Sequence, residues 1–185
     1  TWGLNSNGQL GDGTATSKSS PVQIGTSSWS SVSAGQNHTA AIRTDNGLFT
    51  WGLNSSGQLG DGTTTDRLSP IQIGTSSWSS VAAGGSHTAA IRTDNRLFAW
   101  GLNLSGQLGD GTTVNKSSPV QIGTSSWSSV SAGVFHTAAI RTDSGLFAWG
   151  LNNNGQLGDG TTVNKSSPVQ IGTSSWSSVA AGSSH

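Results

Sequence analysis

Apolar residues in this chain come in short runs broken by Gly, Asp, Asn and Ser, and the runs recur in one fixed order. Trp2, Trp51, Trp100 and Trp149 each open a WGLN run, always 49 residues apart. Trp29, Trp78, Trp127 and Trp176 keep that interval inside GTSSWSSV, and so do Pro21, Pro70, Pro119 and Pro168. His38, His87, His136 and His185 keep it as well, with no insertion or deletion between copies. A period this strict marks each copy as one supersecondary unit stacked on its neighbours.

Within a unit the pattern is that of strands. Ser, Thr, Gly, Val, Ile and aromatic residues dominate, and no segment sustains the i, i+3, i+4 apolar spacing of a helix for three turns. In the first complete unit four strands are predicted, over Trp29–Gly35, His38–Thr44, Leu48–Gly52 and Pro70–Gly74. Asp45-Asn46-Gly47 has hairpin-turn chemistry, since Asn and Gly tolerate positive φ. The link GLNSSGQLGDGTTTDRLSP after the third strand is rich in Gly and Asp and must be an ordered loop.

Four antiparallel strands per unit, repeated radially, predict an all-β fold, a β-propeller of four-stranded blades. Counted from the Trp, blades run over 29–77, 78–126 and 127–175. Residues 1–28 are expected to supply the third and fourth strands of a partial blade, and residues 176–185 its first. The ring is therefore incomplete, and closing it calls for a longer parent chain or for self-association with a second chain.

The runs WGLNxxGQLGDGT, PVQIG and WSSVSAGxxHTAAIRTDNGLFAWG closely resemble the repeat of the regulator of chromosome condensation family, in the variant typical of bacterial members. The resemblance spans essentially the whole chain. It implies a propeller of usually seven blades, within the roughly four to eight common to propellers. It implies no single activity, because members include a nucleotide-exchange factor, photoreceptor and ligase-associated domains, and secreted bacterial proteins that bind other proteins.

Charge narrows the partners. Charged residues are 9% of the chain, against about 25% in ordinary globular proteins. Eight basic residues balance eight aspartates, and the basic ones are spread through the repeats. Nucleic-acid binders carry clustered Lys and Arg, so no nucleic-acid partner is expected. No run approaches the roughly 18 apolar residues of a membrane span, and no membrane insertion is expected. The absence of cysteine leaves no disulfide framework and no thiolate metal site. Neutral charge and small polar loops are compatible with export, which favours an extracellular or cell-surface location over the cytoplasm.

The chemically capable residues recur in every copy, and recurrence argues for construction. The four histidines each start a strand after Ala-Gly-x-x, whereas a catalytic centre needs one asymmetric constellation. They are expected to hydrogen-bond backbone or a neighbouring blade. Asp12, Asp61, Asp110 and Asp159 sit in LGDGT, one acid per loop, too few oxygens for Ca²⁺. They are expected to accept N–H bonds in a Gly-rich loop. GQLGDG lacks the GK[ST] of a phosphate cradle, and no nucleophile-elbow motif occurs. Asp45, Asp94 and Asp143 are explained by surface pairing. The eight tryptophans are assigned to core and blade-to-blade packing. No catalytic residue, metal site or cofactor is expected.

The copies differ at few places. Before the His they read Gln36-Asn37, Gly85-Ser86, Val134-Phe135 and Ser183-Ser184. After WGLN they read Ser6-Asn7, Ser55-Ser56, Leu104-Ser105 and Asn153-Asn154. Further along come Ala15-Thr16-Ser17-Lys18, Thr64-Thr65-Asp66-Arg67 and Thr113-Val114-Asn115-Lys116. In a four-stranded antiparallel blade these links emerge on one face, while the nearly constant TD-x-x hairpins and the invariant GTSSW links lie on the other. Loops on a rigid scaffold are where recognition usually resides. The expectation is a non-catalytic binding or scaffold propeller that engages a protein partner through Leu104, Val134, Phe135, Gln36, Asn37 and Arg67. The alternatives are a multivalent glycan binder with one shallow pocket per blade, a guanine-nucleotide-exchange-type regulator as the resemblance suggests, and a passive spacer.

Overall fold

The computed structural model describes all 185 residues, Thr1–His185, and contains strands and turns but no helix. Strands β1 (Trp29–Ala34), β2 (His38–Arg43), β3 (Leu48–Gly52) and β4 (Arg67–Gln72) form one antiparallel blade in sequential order. The same order is repeated by β5 (Trp78–Ala83), β6 (His87–Arg92), β7 (Arg96–Gly101) and the first part of β8 (Lys116–Ala132). The rest of β8, with β9 (His136–Arg141), β10 (Leu146–Gly150) and β11 (Lys165–Gln170), makes the third blade. The fold is all-β, built of four-stranded antiparallel blades.

Strand β8 serves two blades. Gln121 pairs with Phe98 of β7, and Trp127 pairs with Arg141 of β9. A seven-stranded sheet results. The hairpin before β7 carries Arg96 in the position of Gly47 and Gly145. Arg96 enters the ladder opposite Ser126, whereas a glycine there gives up more chain entropy and has no side chain to hold.

The hairpin tips turn through positive φ at Asn46 (66°), Asn95 (64°) and Ser144 (68°), the last without the Asn preference for that region. Two predictions shift. The fourth strand runs from Arg67 to Gln72 rather than from Pro70 to Gly74, because Gly52 pairs with Arg67 across an irregularity that follows Thr50. Pro70 is tolerated there since β4 is an outer strand. Over residues 1–28 the expected strands reduce to a bridge between Gly3 and Lys18 and a reciprocal pair between Thr1 and Val22. A lone ribbon with no second strand beside it is marginal.

The cores lie between blades. Ala40, Ile42 and Leu48 of the first blade pack with Trp78, Val81 and Trp100 of the second. Ile91, Leu97 and Ala99 of the second pack with Trp127, Val130 and Trp149 of the third. Each HTAAIR strand is buried along both faces for that reason.

Candidate interaction face

The long loop of each blade is built around the Asn of WGLN. Asn103 is fully buried. Its Nδ2 donates to Asp110 Oδ1, Thr112 O and Val114 O at 3.1–3.2 Å, and its Oδ1 accepts from Leu108 N at 3.0 Å. Asn5, Asn54 and Asn152 do the same in their copies. The loop Asp is the second organiser. Asp12 accepts from Thr14 N and Oγ1 and from Asn5, and it pairs with Lys18 at 3.4 Å. The Thr14 hydroxyl, with its backbone N–H, Asn5 and Lys18, holds the Asp12 carboxyl down at about 2. These bonds consume the carboxylate, as expected for a blade-building residue.

The loop also locks one blade to the next. Gln107 O, in the loop of the second blade, accepts from Thr137 Oγ1 (2.8 Å) and Trp149 Nε1 (3.0 Å) of the third. Gln58 O does the same for Thr88 and Trp100. The histidines complete the lock. His38 Nε2 lies 2.9 Å from Thr88 Oγ1, and His87 Nε2 lies 2.9 Å from Thr137 Oγ1. Burial pushes His38 down to about 4, and burial together with the charges of His38 and His136 takes His87 to about 3. Both rings are neutral at pH 7.

On this frame Leu104 is 72% exposed and Phe135 is 41% exposed. Their segments meet, because Phe135 O and Gln107 Cα lie 2.6 and 3.2 Å from the position a Cβ would take on Gly150. Val134 is half-buried and turned inward. Its Cγ1 comes within 2.8 Å of where Gly85 would carry a Cβ, so the Gly85–Val134 difference between copies is a packing pair. Val134 shares the central depression with Gln36, Gly85 and Ser183. Gln36 is exposed and Asn37 half-buried, on the first blade, where Asn37 O accepts from Leu53 N. Arg67 sits opposite Gly52 in the ladder, and a Cβ on Gly52 would lie 2.6 Å from Asn37 O. Arg67 forms a 2.5 Å pair with Asp61, the role of Lys18, Lys116 and Lys165 in the other copies.

The model of the regulator of chromosome condensation (RCC1) repeat matches residues 1–42, 45–91, 94–140 and 143–185. The chain belongs to this family. Among solved structures, human WBSCR16 superposes on this RCC1-repeat chain with a TM-score of 0.89 at 26% identity, covering 98% of this chain and 50% of that one. Yeast RCC1 (Prp20) bound to Kap60 gives 0.81 at 22%, over 93% of this chain and 44% of that one. Prp20p from Saccharomyces cerevisiae, examined with its binding to Gsp1p and histones, gives 0.76 at 22%, over 93% and 45%. The chain thus spans about half the length of these propellers. A comparison with curated protein sequences finds no match.

The RCC1-repeat frame also exposes residues that sequence reasoning passed over. Val114 and Val163 are exposed in the long loops where the first two copies carry Thr16 and Thr65. Val114 belongs with Leu104, since Asn103 bonds the Val114 carbonyl. The Thr-to-Val change was the available signal. At the N-terminal edge of the arc, the residues equivalent to those buried at the joints lie open. Val32 is 65% exposed against 8% for Val81, and Trp2 is 64% exposed against 0% for Trp100.

Proposed function

We propose that this chain is a non-catalytic protein-interaction scaffold whose contact face is centred on Leu104, Phe135 and Val114, with Val134, Gln36 and Asn37 beside them. The observation that carries this reading is the exposure of Leu104 and Phe135 at one joint, with Leu104 on a loop fixed by the buried Asn103. Exposed apolar side chains on a rigid frame, where other copies are polar, are the anchors an interface needs. A protein partner is in keeping with the complex of yeast RCC1 with Kap60. The test is capture from a native extract by the immobilised chain, beside a variant carrying Leu104→Ser, Val134→Ser and Phe135→Ser. Ser occupies each of these positions in another copy, so the variant keeps the fold. A protein held by the wild type and released by the variant supports the face, and equal retention by both overturns it.

A further inference from the structure

Almost every cation in this chain is committed to a carboxylate. Arg43 donates from Nε and Nη2 to Asp45 at 2.9 and 2.5 Å, and Arg141 does so to Asp143 at 2.8 and 2.5 Å. Each of these guanidiniums lies over a Phe ring, at 4.8 and 4.9 Å from the centroid. Lys18, Arg67, Lys116 and Lys165 pair with the loop aspartates.

The second blade departs from this rule. Arg92 and Arg96 share the single carboxylate of Asp94, at 3.4 and 3.8 Å. Neither makes the bidentate bond seen in the other hairpins, and Arg92 stands farther off its ring, 5.4 Å from the Phe98 centroid. Asp94 Oδ1 accepts from the Arg96 backbone N at 3.3 Å, as Asp45 and Asp143 accept from Gly47 N and Gly145 N. Two guanidinium forks therefore face one carboxylate, with their donors free and both side chains at least a third exposed.

A groove opens beside Arg92, and Arg96 reaches it only through the Asp94 carboxylate the two share. Between the first and second blades, Asp61, Gln72, Trp78, Phe98, Ser118 and Arg92 line a cavity of about 420 Å³. One joint earlier the same groove recurs at about 430 Å³, with Asp12, Gln23, Trp29, Phe49 and Ser69, but no arginine reaches it. Asp61 brings no net charge, since Arg67 neutralises it. This volume is within the roughly 300–1,000 Å³ of small-ligand sites.

We propose that the groove between the first and second blades binds a ligand bearing an oxyanion, a carboxylate or a phosphate, held at the rim by Arg92 and Arg96. A planar guanidinium presents donors in a fork that matches either group, and neither arginine gives up a side-chain hydrogen bond within the protein to receive one. The uncharged body of the ligand lies along Gln72, Ser118 and the edges of Trp78 and Phe98. The site is asymmetric within the repeat, because only the second hairpin carries an arginine in the position of Gly47 and Gly145.

The test follows the arginine Nε–H resonances of the ¹⁵N-labelled chain during titration with inorganic phosphate and, separately, with acetate at matched ionic strength. Arg43 and Arg141 are internal references. Saturable shifts of Arg92 and Arg96 are expected, with Arg43 and Arg141 moving little, and the anion that saturates identifies the class. Arg96→Gly, which restores the residue of the first and third hairpins, should weaken binding about tenfold or more. Equal, linear shifts of all four arginines with both anions would overturn the proposal, as would an Arg96→Gly variant that titrates like the wild type.

Discussion

His38 hydrogen-bonds Thr88 across a joint between blades, 2.9 Å from ring Nε2 to side-chain Oγ1. The direction of the bond follows from its neighbour. Thr88 has one hydroxyl proton, and that proton is given to Gln58 O at 2.8 Å, so Thr88 must accept from His38. Nε2 carries the hydrogen and Nδ1 is bare. That nitrogen is buried without a partner, against Gly35, whose absent Cβ would lie 2.6 Å from it. The ring is wedged, neutral, into a slot that offers a proton on Nδ1 no acceptor.

Acid should therefore loosen the joints. His38 and His87 have folded-state values of about 4 and about 3, below the unfolded value of 6.5. Between those limits the unfolded chain binds protons that the native chain refuses, so stability is full above pH 6.5 and falls as pH falls. The slope approaches about 1.4 kcal/mol per pH unit for each ring. Urea denaturation at pH 7.5, 6, 5 and 4.5 measures it. His87→Gln should flatten the curve, and a curve independent of pH over this range would contradict the assignment.

Gly84→Ala should be costly although the change is one methyl. The new Cβ would lie 2.4 Å from His87 Cε1 and 2.6 Å from Gly133 O, with a ring on one side and backbone on the other. Overpacking of this kind costs about 1–3 kcal/mol. The expected result is a lower urea midpoint with an unchanged m value.

Asn103→Ala removes the hub of the loop that carries Leu104. Asp110, Thr112 O, Val114 O and Leu108 N each lose a partner in a buried setting, and one such loss costs about 1–3 kcal/mol. A total near 3 kcal/mol is expected, with loop amides from Leu104 to Val114 losing exchange protection. Partner capture should fall even though Leu104 itself is intact.

Arg96→Gly should uncouple the second and third blades at the outer edge. The Arg96–Ser126 pairing holds the link from Ile122 to Ser126 in strand form, while the matching link after β4 is open. Hydrogen exchange at Gly123–Ser126 should accelerate in the variant to the rate seen at Gly74–Ser77. Unchanged protection would mean that something other than Arg96 extends β8.

Most of the blade is readable in the linear sequence because what builds it is local and repeated. Alternation within WSSV and LFAW, Asn or Gly at the hairpin tips and the interval of 49 residues specify strands, turns and stacking order. Recurrence alone pointed to His and Asp as blade-building residues, and their bonds to neighbouring backbone and blades agree. The WGLN asparagines were equally recurrent, yet their role stayed hidden, since four hydrogen bonds converging from one loop are a matter of three-dimensional closure.

Tertiary structure decided what depends on who stands across a joint. Trp2 and Trp100 share the same flanking WGLN, yet one is open and the other sealed, because burial belongs to the neighbouring blade and not to the residue. His38 and Thr88, separated by 50 positions, meet only once two blades stack. Arg67 and Arg92 look alike as isolated basic residues. Arg67 is bound to the loop Asp61 beneath it, while Arg92 shares its carboxylate with Arg96 and keeps free donors. The period of the chain determined the blade, and the contacts between blades determined which of its identical residues are buried and which are left exposed.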